Sequence, residues 1–260
     1  MKRYTLLEMV QEVGRSINSD EITTLDETVD ATDIKFVVLT ALEDISNRRE
    51  WSWRKHQLRI AVPPLSGALR VVLDLPADCD GVEQFKYRAD ILGSNRAEFR
   101  EVQYLCPEKF LEHVNSRDLS AANVDTIATT PDARPIYVYN DRAPSYYTQF
   151  EHGAIVCDAY DKAVDPTGLS AGRTMVVATV NLDTQGAATN PAWVPDMPTK
   201  FFQLWLQEAK AAASNQLRQE PSQRYEREAR RTYIQLLALD EQIVDAREDK
   251  GVNYGRPHRY

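Results

Sequence analysis

The chain has little cysteine: three residues in 260, Cys79, Cys106 and Cys157. They are far apart and odd in number, which argues against a disulfide framework or a zinc site. It fits buried free thiols in a reducing compartment. Histidine is as scarce, and His56, His113, His152 and His258 show no ligand spacing. No apolar run approaches the length of a membrane span. The opening "MKRYTLLEMVQEVG" has basic residues but no uninterrupted apolar core, so no signal peptide is expected. Walker loops, dinucleotide fingerprints, internal repeats and low-complexity segments are all missing. Neither a metal nor a cofactor is expected.

What is present is ordinary for a globular protein: 43% hydrophobic and 27% charged residues. The net charge of −8 is unevenly spread along the chain. Residues 1–62 carry 9 Lys/Arg and 11 Asp/Glu, residues 63–196 carry 11 and 19, and residues 197–260 carry 11 and 9. An acidic middle argues against a grip on nucleic acid, because phosphate binding needs clustered Lys and Arg. It leaves open a surface that DNA slides past without sticking.

Apolar periodicity divides the chain. Leu6, Val10, Val13 and Ile17 mark one helix face, and Ile34, Val37, Val38, Ala41, Leu42 and Ile45 a second, with Asp30 as the expected N-cap. Near residue 57 the period becomes two. Leu58, Ile60 and Val62, then Leu69, Val71, Leu73 and Leu75, predict a hairpin around "PPLSG". Further strands are expected at 82–88, 135–140, 146–150, 153–158 and 173–180, with one helix at 107–117 opened by Pro107. Helical spacing returns at Phe201, Leu204, Trp205, Ala209, Ala212 and Ala213. Pro221 interrupts it, and a last helix is expected from about 222 to 249, with Ala229, Tyr233, Leu236, Leu237, Ile243 and Val244 on one face. The two end pairs of helices cannot each bury a stripe alone. The expected fold is therefore α+β: a helical bundle from 1–56 and 197–250, an inserted antiparallel β domain over 57–196, and an extended tail over 251–260.

Four stretches invite a sharper reading. Gly168-Leu169-Ser170-Ala171-Gly172 is a literal G-x-S-x-G, but a nucleophile elbow needs a strand before the serine and a helix after it. Here turn residues precede it and the β-branched "RTMVVATV" comes next, so a loop is expected. The triad would also need His258, the only downstream histidine. Asp158, Asp161 and Asp165 lack the fixed spacing of a calcium loop and read as a solvated edge. "NRREWSWRKHQLR" (47–59) sets Trp51 and Trp53 among Arg48, Arg49, Arg54, Lys55 and Arg59, a mixture able to stack on nucleic acid. Position favours packing: the two tryptophans wedge the layers where helix gives way to strand, while the arginines cap helix carbonyls. The basic, aromatic tail "KGVNYGRPHRY" suits either a frayed end or a partner contact.

The stretches "YTLLEMVQEVGRSINSDEITTLDETVDATDIKFVV", "RREWSWRKHQLRI", "LDLPADCDGVEQFKY", "PSYYTQFEHGAIVCDAYD" and "FFQLWLQEAKAAASNQLRQEPSQRYEREARR" occur in that order. Together they resemble the head-to-tail adaptor proteins of phages, also described as tail tubular protein A-like, neck or head-completion proteins. The resemblance implies a virion structural protein and no enzyme. It implies a ring, typically a dodecamer, below the portal protein, with the tail nozzle or other tail proteins beneath and genomic DNA passing through. It also implies that the C-terminal segment reaches the portal, here Gly251, Tyr254, Arg256, His258, Arg259 and Tyr260. The rival readings are a tail terminator or other neck protein, a hydrolase using Ser170 or clustered carboxylates, and a nucleic-acid module using residues 48–59.

Overall fold

The computed structural model describes residues 2–58, 60, 71–89, 98–127, 135–164, 169, 171–182, 184–219 and 221–247. In chain order the elements are α1 (Leu6–Ser16), α2 (Val29–Asn47), β1 (Lys55–Leu58), β2 (Val72–Asp74), β3 (Cys79–Arg88), β4 (Phe99–Glu101), β5 (Gln103–Tyr104), α3 (Pro107–Asn115), β6 (Val124–Ile127), β7 (Ile136–Tyr139), β8 (Tyr146–Glu151), β9 (Ala154–Cys157), β10 (Thr174–Val180), α4 (Thr184–Ala187), α5 (Phe201–Arg218) and α6 (Gln223–Arg247). The architecture is α+β. The chain divides into two units, Met1–Arg54 with Leu182–Tyr260, and Lys55–Asn181.

In the helical unit, local chemistry sets where each helix starts. The Glu8 N–H donates to Thr5 Oγ1 at 3.2 Å and the Thr5 N–H donates to Glu8 Oε2 at 3.0 Å, a reciprocal cap on α1. Thr28 caps α2, its Oγ1 accepting from the Ala31 N–H at 3.0 Å. The expected cap, Asp30, lies instead in the first turn, where its charge suits the positive end of the helix dipole. Helix α5 ends at Gln219, whose φ of 55° is left-handed, and Pro221 comes two residues later. One core holds α1, α2 and α5 together with Leu236 of α6. Within it Leu6, Met9, Ile34, Leu42, Phe202 and Trp205 are almost wholly excluded from water. Each such side chain contributes about 1.5–3 kcal/mol. The Trp205 Nε1–H donates to the Val38 carbonyl at 2.8 Å, so this buried tryptophan also fixes how α5 sits on α2.

The boundary expected at 196 falls at 181 instead. Leu182 and Trp193 pack on the helical core. The first amides of α1 have no partner within their own helix. The Leu6 N–H donates to the Trp193 carbonyl at 2.9 Å and the Leu7 N–H to the Pro191 carbonyl at 3.1 Å. Residues expected in the β domain thus complete a helix start. This shift also redistributes charge. The helical unit carries 18 Lys/Arg and 22 Asp/Glu, the β unit 13 and 17, so each has a net charge of −4. The acidic excess of the middle disappears once the units are cut where they fold.

Among its described residues, the β unit holds two four-stranded sheets, ordered β1-β10-β3-β4 and β2-β9-β8-β5, and a two-stranded pair, β6-β7. Among the described residues, the two arms of the hairpin expected from residues 57–75 do not pair with each other. β1 pairs with β10 in one sheet and β2 with β9 in the other. Alternation along a strand reports which face is buried and says nothing about its neighbour. Residues 61–70, which carry the expected turn, lie outside the described residues. The sheets are not wholly antiparallel either, since β5 runs parallel to β8. Phe85, Tyr87, Ile136, Val138, Ile155, Cys157 and Val176 fill a core separate from that of the helices, and α3 adds Phe110 and Val114 to it.

Candidate functional site

Residues 48–54 close the helical unit, and their partners there are specific. Trp51 is fully buried. Its Nε1–H donates to the Ile45 carbonyl at 2.7 Å, and its ring meets Phe201 and Tyr233 edge-on at 5.0 and 5.9 Å. Trp53 is partly buried and packs on Phe201 at 5.6 Å. The partners of both rings therefore lie on α5 and α6, inside the helical unit. Arg54 is buried and its Nη1 donates to the Ser46 carbonyl at 2.9 Å, a carbonyl at the end of α2, as expected. Arg48 and Arg49 do something else. Arg48 pairs with Glu208 of α5 and Arg49 with Glu241 of α6 at 3.2 Å, so they tie the end of α2 to its neighbours. A stretch with its rings packed, Arg48 and Arg49 on carboxylates and Arg54 on a carbonyl has little left for nucleic-acid stacking. Arg59 lies outside the described residues.

Beside this stretch a groove of about 630 Å³ opens between the Ser52–Arg54 turn, the start of α5 and the second half of α6. Trp53, Phe201, Leu236, Leu239 and Ile243 make its apolar wall. Asp240 supplies the polar feature. Its side chain is buried; Oδ1 accepts from the Ser52 N–H at 3.1 Å, and Oδ2 has no hydrogen-bond partner among the described residues. The Trp53 Nε1–H is equally without one. Arg49 Nε stands 3.9 Å from Asp240 Oδ2, too far for a hydrogen bond but close enough to offset its charge. The groove can therefore bury an apolar side chain against its wall. Sequence reading missed it for a definite reason. The helical stripe places Ile243 on the buried face of α6, yet the side chain is 45% exposed at the groove. The signal that could have located the site was an acid, Asp240, on the apolar side of a helix.

The other dense polar cluster lies in the β unit. Arg117 is buried and spans three segments: Nη1 donates to the carbonyls of Tyr137 at 2.9 Å and Asp158 at 2.6 Å, and Nη2 to Asp158 Oδ2 at 3.0 Å. Burial pulls the guanidinium below its ordinary value, and Asp158 opposes that pull. Asp158 Oδ1 accepts from the Ser145 and Tyr146 N–H groups at 2.9 and 3.0 Å. His113 Nε2 stands 3.1 Å from Arg117 Nη2 and must accept, because a guanidinium only donates. With both oxygens of Asp158 engaged, the cluster is built to hold strands together. The reading of Asp158 as part of a solvated edge is overturned.

The nucleophile question turns on the backbone just past residue 170. Gly168 and Ser170 lie outside the described residues. Ala171–Arg173 makes a single 3-10 turn that leads directly into β10, where an elbow would need a helix. Asp165 and the tail residues Gly251, Tyr254, Arg256, His258, Arg259 and Tyr260 also lie outside the described residues. Among the described residues no three His, Cys, Asp or Glu side chains are grouped to hold a metal ion, and no helix is long and apolar enough to cross a membrane. No protein-family model matches the chain, and no curated protein matches its sequence.

Proposed function

We propose that this chain is a head-to-tail adaptor of a phage virion: one subunit of a ring below the portal that extends the DNA channel and carries the tail. One observation carries the reading. Both chain ends contribute to one helical unit, and the whole middle forms a β unit with its own core. That is the organisation implied by the resemblance: a bundle of α1, α2, α5 and α6 with a β domain inserted between its second and third long helices. The surface of the helical unit supports assembly as well. Val29 and Phe36 on α2, and Ile234 and Ile243 on α6, are exposed, and the groove beside Trp53 holds buried polar atoms with no hydrogen-bond partner among the described residues. Such a surface is costly in a free monomer and suits a protein that is finished by its neighbours. A net charge of −4 on each unit suits a channel through which DNA passes without specific binding. The tail from Gly251 to Tyr260 is the segment proposed to reach the portal.

The test is negative-stain electron microscopy of the chain co-expressed with the portal protein of its own genome. The expected result is a ring of this protein capping one end of the portal. Bare portals with the chain left free would overturn the adaptor reading and favour a tail terminator.

A further inference from the structure

Helix α2 leaves an apolar stripe in water. Val29 and Phe36 are 77% and 68% exposed. Positions 29, 33, 36 and 40 are spaced by four, three and four, so Val29, Asp33, Phe36 and Thr40 follow one line along the helix. Asp30 and Asp33 are both exposed, and neither has a cation partner among the described residues. Lys35, the nearest cation in sequence, is paired with Asp26 instead. An exposed apolar line with this spacing is the kind of surface that an apolar groove between two other helices receives.

The same unit carries such a groove. The hollow beside Trp53 continues into a second lobe of about 520 Å³, which shares Lys200, Leu236 and Leu239 with it and reaches Gln203 and Thr232. From Thr232 to Ile243 the two lobes follow α6 for about 16 Å, and the stripe from Val29 to Thr40 has the same length. Charge matches as well. Lys200 lines both lobes, and its ammonium has no carboxylate partner among the described residues. Asp240, the one carboxylate in the described lining, is buried and offset by Arg49. The groove thus offers positive charge and the stripe negative charge. A subunit cannot seat its own stripe. Phe36 precedes Arg48, the end of α2, by about 18 Å of helix, and the groove opens past that end, at Ser52 and Trp53.

We propose that a second copy of this chain docks here, with Val29 and Phe36 of one copy seated in the groove of the next and Asp33 against Lys200. Burying an aromatic ring takes about 150–250 Å² out of water. Because stripe and groove are different surfaces, the contact is head-to-tail, and it adds copies in succession instead of closing at two. It names the surface between neighbouring subunits, and it rests on the adaptor reading for the ring that such a contact builds.

The test is sedimentation velocity of the full chain over a range of concentrations. Wild type is expected to gain mass with concentration and to pass beyond two copies. Phe36→Asp spoils the stripe and Ile243→Asp the groove. Both side chains are exposed, so circular dichroism melts of both variants should match wild type. Each variant should raise the dissociation constant at least about tenfold, the effect of losing an interface anchor. Ile234→Asp changes an exposed residue of α6 outside the described groove lining and should associate as wild type. An equimolar mixture of Phe36→Asp and Ile243→Asp keeps one intact groove and one intact stripe, so it should form dimers and stop there. Asp33→Lys and Lys200→Glu should each weaken association, and the two together in one chain should restore it. The proposal is overturned by a wild type that stays monomeric, a mixture that does not pair, a charge swap that restores nothing, or an Ile234→Asp loss equal to that of Phe36→Asp. Portals capped by a full ring of Phe36→Asp would also overturn it and leave the adaptor reading intact. Bare portals beside the expected mixture result would remove the adaptor reading and leave this contact standing.

Discussion

Arg117 and Asp158 meet twice: Arg117 Nη1 donates to the Asp158 carbonyl at 2.6 Å and Nη2 to its carboxylate at 3.0 Å. The arginine comes from the segment after α3 and the aspartate from the end of β9, 41 residues apart. Both side chains are about 95% or more excluded from water. The remaining carboxylate oxygen holds the backbone at Ser145 and Tyr146, so one ion pair gathers α3, β7, β8 and β9.

Removing one partner strands the other charge in the interior. Arg117→Ala is expected to lower unfolding free energy by about 3–5 kcal/mol, read from the urea midpoint. Arg224→Ala, which breaks an exposed pair with Glu228 on α6, should shift it by less than about 1 kcal/mol. Equal effects of the two variants would remove the Arg117–Asp158 pair from its structural role.

Trp51 should dominate its stretch. Trp51→Ala empties a site enclosed by Phe201, Tyr233 and Ile45 and is expected to cost about 3–5 kcal/mol. Trp51→Phe keeps a ring but leaves the Ile45 carbonyl without its 2.7 Å donor, for a loss of about 1–3 kcal/mol. Thermal melts of both variants give the order directly.

Acid sensitivity should trace to Asp125. Burial raises its carboxyl, but hydrogen bonds from Tyr160, Lys162 and Asn140 outweigh that, and the net direction is down from the ordinary 3.8. A folded value below the unfolded one means that the contribution is complete above 3.8. It is lost as pH falls through the lower folded value. Wild-type stability should therefore drop below about pH 4, while Asp125→Asn should be less stable at neutral pH and lack that component of the drop. Parallel pH–stability curves for the two proteins would contradict this assignment.

The three thiols should react in a fixed order. Cys157 is wholly buried and burial pushes its thiol well up, Cys79 is also buried and raised, and Cys106 is half-buried at the start of α3. Thiolate is the reactive form. Alkylation of the folded protein, with mass spectrometry as the readout, should modify Cys106 first and Cys157 only after denaturation.

Deleting residues 251–260 tests the proposed portal contact. The truncated chain is expected to melt as the full chain does. It should fail to cap portals in electron micrographs. Normal capping by the truncated chain would remove the tail from that role.

Helices α1, α2, α3, α5 and α6 were legible because each rests on local patterns: the Leu6–Val10–Val13 spacing, the Ile34-to-Ile45 stripe, and Pro107 and Pro221 as start and break; the single turn α4 was not. Strand positions were largely legible too, with β7 through β10 close to their expected spans. The short strands β4, β5 and β6 were not, since two to four residues carry too little alternation to register. Strand partners were illegible altogether: Leu58 and Leu73 read as facing arms of one hairpin and lie in different sheets. The wall residue Ile243 and the polar feature Asp240 were invisible as a groove, because a helical stripe does not say where the opposing helix stops.

By itself, then, the order of residues determined which segments are helix, which are extended, and which faces are apolar, because these depend on backbone periods and capping within a few neighbours. Only tertiary structure decided that 182–196 belongs with the helices and that acidic charge is shared equally between the units. Those outcomes depend on contacts between residues far apart in the chain, such as Leu6 with Trp193 and Val38 with Trp205. Hydrogen-bond satisfaction and burial select such contacts only when the whole unit closes.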